Sequence, residues 1–109
     1  MTVVRIRHII EALQDCLDFT SSRSRVDLDQ DRMLQLALAR AIEIAGEAAS
    51  KITEPTRKEF SGVPWPKIVG MRNRLVHAYF DINLKMLWDT ATMDAPRLLA
   101  LLKPIFPAD

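Results

Sequence analysis

A single cysteine, Cys16, stands in a chain of 109 residues. One thiol cannot close an internal disulfide or build a cysteine-based zinc site, and it fits a reducing compartment. Its setting among helix formers reads as a small buried residue. Glycine is scarce too, at 3 residues, and β-branched runs separated by turns are few, which disfavours a sheet protein. No apolar run reaches membrane-spanning length. The opening MTVVRIRHIIEAL interleaves charges with apolar residues, unlike the continuous apolar core of a secretion signal. A cytoplasmic protein without membrane association is expected. Excess charge is also missing: the net value is +1, so nothing global argues for wrapping nucleic acid. Glycine-rich phosphate loops, internal repeats and low-complexity segments are absent from the sequence.

What is present is a globular composition, with 49% apolar and 27% charged residues, too apolar for a disordered chain. The length suits one domain, residues 1–109, able to bury roughly two-thirds of its unfolded surface. Four helical segments follow from spacing. Val3, Ile6, Ile10, Leu13 and Leu17 step by three and four along the first, which the polar stretch from Thr20 to Arg25 ends. A second starts near Asp29 as N-cap, carries Leu34, Leu38, Ala41, Ala45, Ala48 and Ile52, and is limited by Pro55. Because Leu36, Ile42 and Ile44 make its other faces apolar as well, it is expected to be the central element. A third follows Val63-Pro64-Trp65-Pro66, where prolines suit a first helical turn. The fourth runs from about Asn83 through Leu84, Trp88, Ala91, Ala95, Leu98, Leu102 and Ile105, with Asp94-Ala95-Pro96 placed to kink or restart it. Short connections predict an all-α, antiparallel up-and-down bundle of about four to five helices.

The third segment carries the chemistry. Met71 to Phe80 holds Arg72, Asn73, Arg74, His77 and Tyr79, and from Pro64 to Phe80, where Lys67 also lies, there is no Asp or Glu. An arginine can clamp a phosphate, an amide can orient it, an imidazole can move protons near neutral pH and a phenol can donate a hydrogen bond. On a wheel of about 100° per residue, Trp65, Ile68, Met71, Leu75, Ala78 and Ile82 share a core face. Val69, Gly70, Asn73, Val76, His77 and Phe80 gather opposite, with no charged residue among them, while Lys67, Arg74 and Asp81 form a flank. An uncharged outer face is expected to be covered, and in so small a bundle the cover is a second copy of the chain. Asn73 and His77 then act from one face, whereas Arg72 and Tyr79 lie about 140° and 160° around from His77.

Other polar residues read as ordinary. His8 is a solvated helix start and Arg74 a flank charge that supports binding. Tyr79 is equally readable as a core-edge aromatic. The run Asp27-Leu28-Asp29-Gln30-Asp31 lacks the glycine turn and closing glutamate of a calcium loop, and acidic groups belong at a helix start. No metal site is assigned, and nucleophile arrangements of Ser-His-Asp or Cys-His type have no support beyond residue presence.

Arg72-Asn73-x-x-x-His77-x-Tyr79 resembles the signature of the HEPN superfamily, specifically its HepT-like branch. The stretches Ala41 to Ala48, Val63-Pro64-Trp65, Ile68-x-Gly70-Met71-Arg72-Asn73 and Tyr79-Phe80-Asp81, with Trp88, are similar to that branch as well. The resemblance implies a small all-α homodimer acting as a metal-independent ribonuclease toxin, without cofactor, paired with a minimal nucleotidyltransferase antitoxin. Under it Arg72 and His77 are catalytic, Asn73 orients the site, and Tyr79 matches the tyrosine that the partner AMPylates. Lys67 and Arg74 support RNA binding, and Val69, Gly70, Asn73, Val76 and Phe80 form the dimer interface. The alternative is a non-catalytic module that binds a nucleotide or docks a nucleotidyltransferase.

Overall fold

The computed structural model of the chain describes residues 2–74 and 82–105. The regular elements among them are helical: α1 (Thr2–Thr20), α2 (Arg25–Gln30), α3 (Arg32–Ser50), α4 (Glu54–Glu59), α5 (Trp65–Met71), α6 (Leu84–Asp89) and α7 (Ala95–Leu102). A 3₁₀ turn, Arg72–Arg74, continues α5, and a wider π-helical turn, Thr90–Asp94, joins α6 to α7. The fold is thus all-α, as the spacing predicts. No described helix is long and apolar enough to cross a membrane.

The core is built where α1 lies along α3, with α7 against α1 and α5 against α3. All six expected core positions on the second segment, from Leu34 to Ile52, are buried. The first helix differs. Val3 is 55% exposed, while Ile6, Ile9, Ala12, Leu13 and Cys16 are buried. Since α1 must satisfy α3 and α7 together, its buried stripe is rotated toward Ile9 and Cys16. Burial also pushes the Cys16 thiol up to about 12, so it stays protonated and inert at neutral pH.

Local chemistry moves the expected boundaries. Ser24 forms a capping box with Asp27, so a short helix starts before Asp29, and Asp29 instead pairs with Arg25 one turn back at 3.0 Å. The cap of α3 is Asp31, which accepts from the Leu34 amide at 3.0 Å and pairs with Arg23 at 3.0 Å. Each carboxylate of the acidic run is thereby engaged in helix structure. Helix α3 ends at Ser50, and Pro55 belongs to the first turn of α4. Arg57 of α4 reaches back to the last carbonyls, its Nη2 donating to Ala49 O at 3.0 Å and its Nε to Ile52 O at 3.1 Å. A cation there satisfies acceptors that have no partner within the helix.

Contrary to the expectation of burial on several faces, α3 has an open side, where Met33 is 81% and Leu36 48% exposed. The last segment is N-capped by Asn83, which accepts from Met86 N at 3.1 Å. Its expected break is real. The Ala95 amide bonds back five residues to Thr90 O, widening the turn just ahead of Pro96, whose ring and missing N–H do not fit an ordinary helical turn.

The tightest approach in the fold lies between α3 and α5. A β-carbon at Gly46 would sit 3.3 Å from Ile68 O and 3.4 Å from Val69 O. Backbone carbonyls of a packed helix yield little, so Gly46→Val is expected to lower stability by about 1–3 kcal/mol, read by chemical denaturation. Asp31 gives a pH signature. The Leu34 amide first, and Arg23 second, hold its carboxyl below the usual carboxylate range. A depressed folded value adds stability that is complete above the unfolded pKa and is lost as pH falls through the folded one. The stability difference between wild type and Asp31→Asn should therefore shrink as pH drops below about 4, measured by denaturation at stepped pH.

Candidate active-site cleft

The site is assembled from α5 and the middle of α3. Trp65 opens α5 as a buried anchor, its indole N–H donating to Phe60 O at 3.1 Å. Ile68 and Met71 follow on the same face and are completely buried, which confirms the core face of the wheel that far. The α-helix that spacing places over residues 65–82 ends at Met71. After Met71 the backbone tightens to about three residues per turn, so the wheel of about 100° per residue stops applying at Arg72.

Arg72, the first residue of this turn, lies against α3. Its Nη1 donates to Glu47 Oε2 at 2.6 Å, a charge-assisted bond between partly exposed side chains. The arginine stem crosses over Gly46, where an added β-carbon would lie 3.5 Å from Arg72 Cδ. Glu47 presents its other oxygen, Oε1, to Lys51 Nζ at 4.0 Å. One turn earlier Arg40 pairs with Glu43. Arg40, Glu43, Glu47, Arg72 and Asn73 together line an open cleft of about 550 Å³. Positions 40, 43 and 47 recur at helical spacing on the open side of α3, opposite the buried Leu38, Ala41 and Ala45. Among the described lining residues two arginines face two glutamates, so an anion entering must compete with a carboxylate for a guanidinium.

The expected site residues divide. Arg72 and Asn73 are brought into one cleft, Asn73 exposed at its edge. Lys67 is not part of this lining; its Nζ lies 3.7 Å from Asp94 Oδ1 in the π-helical turn. Arg74 is exposed and outside the lining, with no ion-pair partner among the described residues. Val69 is partly buried against the core, and among the described residues nothing lies within 4 Å of where a β-carbon would project from Gly70. Val76, His77, Tyr79 and Phe80 lie outside the described residues.

Spacing alone did not assign Arg40, Glu43 and Glu47 to the site. The available signal was three charges at i, i+3 and i+7 along the middle of a mostly apolar helix, a pattern that equally describes any solvated face.

An all-α domain with an arginine and an asparagine at the mouth of a polar cleft defines the class. The sequence comparisons place it more closely. The chain belongs to the HepT-like ribonuclease family, whose profile matches residues 9–105. It is 37% identical over 90 residues to a Methanocaldococcus jannaschii protein named "Putative RNase MJ1380", covering 83% of each chain. It is 34% identical over 93 residues to "Probable ribonuclease HepT" of Thermococcus cleftensis, covering 85% of this chain and 84% of that one. A Caldanaerobacter subterraneus subsp. tengcongensis protein, "Putative RNase TTE0752", is 33% identical over 100 residues, with 92% and 89% covered. No solved structure gives a significant match.

Arg74, exposed and outside the cleft, offers a clean control. Arg74→Ala is expected to change unfolding free energy by less than about 0.5 kcal/mol, measured by urea titration.

Proposed function

We propose that this chain is a metal-independent endoribonuclease that works as a homodimer. The observation carrying this reading is the placement of Arg72 and Asn73 in one open cleft, immediately ahead of His77 in the Arg-Asn-x-x-x-His-x-Tyr run. Membership of the HepT-like ribonuclease family supports RNA as the substrate. In the reaction, the ribose 2′-hydroxyl attacks the adjacent phosphorus, forming a 2′,3′-cyclic phosphate, and the 5′-oxygen of the next nucleotide leaves. His77 takes the hydroxyl proton or supplies one to the leaving oxygen, and with two chains one imidazole does each. Arg72 stabilises the charge that builds on the phosphoryl oxygens, and Asn73 orients the phosphate through its amide.

A second chain is supported by the exposure of Asn73 and by the lack of any charged residue among Val69, Gly70, Asn73, Val76 and Phe80. Pairing through Val69, Gly70, Asn73, Val76 and Phe80 sets two copies of the motif across a shared groove. Lys67 and Arg74 would then serve as flanking cations, Lys67 once released from Asp94.

The biological role that fits is the toxin of a toxin–antitoxin pair acting in the cytoplasm. A nucleotidyltransferase antitoxin would neutralise it by transferring AMP to Tyr79. The added bulk and negative charge would then oppose entry of the RNA phosphate.

His77→Ala should leave a folded dimer, by circular dichroism and size-exclusion chromatography, yet lower RNA cleavage in EDTA by at least about 100-fold. Equal cleavage by the variant and wild type would remove His77 from catalysis and favour a docking module without nuclease activity.

A further inference from the structure

We infer that Glu47 is a positioning residue for Arg72, seating its guanidinium so that the donors left unused meet the scissile phosphate. This rests on the ribonuclease reading above, in which Arg72 binds that phosphate. The direction of Arg72 is not set by its own helix. It follows the last α-helical residue, Met71, on a 3₁₀ turn, and its long stem has several rotatable bonds. What fixes it is α3. Gly46 leaves a bare strip of backbone against which the stem lies, with Arg72 Cδ 3.5 Å from where a β-carbon would be. The next residue, Glu47, takes Nη1 at 2.6 Å. Glu47 is steadied in turn by Lys51 one turn further on, 4.0 Å from its second oxygen.

The arithmetic of donors supports a seat and not a lock. A guanidinium carries five N–H donors in a fixed plane, and the bond from Nη1 occupies one. The bond to Glu47 takes up one donor, and a bidentate phosphate contact needs only two of the others. The arrangement has a charge consequence. A carboxylate at the phosphate site opposes RNA binding, so Glu47 improves orientation at the expense of affinity. Loss of the carboxylate should therefore separate turnover from binding, which loss of a purely structural side chain does not do.

The test is steady-state cleavage of a fluorogenic RNA oligonucleotide in EDTA, with melting temperatures measured alongside. Glu47→Ala should lower kcat by about 10- to 100-fold, the usual range for a misplaced catalytic group, with KM unchanged or lower. Glu47→Gln keeps an acceptor oxygen in the seat and should recover most of kcat. In an Arg72→Lys background, where a planar fork is no longer there to orient, Glu47→Ala should cost much less than in wild type. An unchanged kcat in Glu47→Ala, a rise in KM alone, or a full additional loss in the Arg72→Lys background overturns the inference while leaving the nuclease assignment standing. Unimpaired cleavage by Arg72→Ala would instead bring down the catalytic assignment of Arg72, and this inference with it.

Discussion

The close crossing of α3 and α5 at Gly46 is the constraint on which the site depends. Two carbonyl oxygens of α5 approach this glycine so nearly that a methyl group would crowd both. The approach does two things together. It buries Ile68 and Met71 deep against α3, and it brings the end of α5 over the middle of α3, where Glu47 can reach Arg72. A larger residue at 46 would push the α5 backbone off α3 and crowd the Arg72 stem that crosses there. Core packing and the position of Arg72 thus share one contact.

Charge is used locally throughout this nearly neutral chain. The acidic run before α3 serves helix starts and a pair with Arg25, Arg57 closes the far end of α3, and the cleft balances its arginines with glutamates. On the proposed ribonuclease reading, such balance would let a protein with net charge +1 present guanidinium groups to a phosphodiester without a broad basic surface. Selectivity of this kind comes from placement, because a cleft that pairs its arginines with glutamates attracts an anion only where donors are aimed at it.

The sequence was legible where periodicity and burial coincide. The stripe from Leu34 to Ile52 on α3 and Trp65, Ile68 and Met71 on α5 are buried as spacing predicts. The first helix was misjudged by a partial rotation, because a mixed stripe admits two registers and the partners α3 and α7 choose between them. Boundaries failed where a side chain competes with the backbone, as at Ser24 and Asp31, which divide what spacing joins. In the candidate cleft, residue type alone singles out Arg72 and Asn73, whereas it does not single out the carboxylates of α3 that line the same cleft. Glu43 and Glu47 acquire meaning only from what faces them, and that is a tertiary fact. The wheel also presumed one uniform helix, and the 3₁₀ turn at Arg72 ended its authority where direction mattered most.

Helix α5 is only seven residues long, yet three separate parts of the chain hold it: the Phe60 carbonyl takes the Trp65 indole, Asp94 takes Lys67, and Glu47 takes the arginine just past its end. Mechanically this is a three-point mount. A rod held at three points can be re-aimed by adjusting any one of them, with the other two serving as pivots. Sequence drift at the end of α4, in the π-helical turn or on the open side of α3 could each tilt the arginine by a small angle without disturbing the hydrophobic interior. The direction of Arg72 can thus be retuned from residues that line no part of the cleft as well as from those that do.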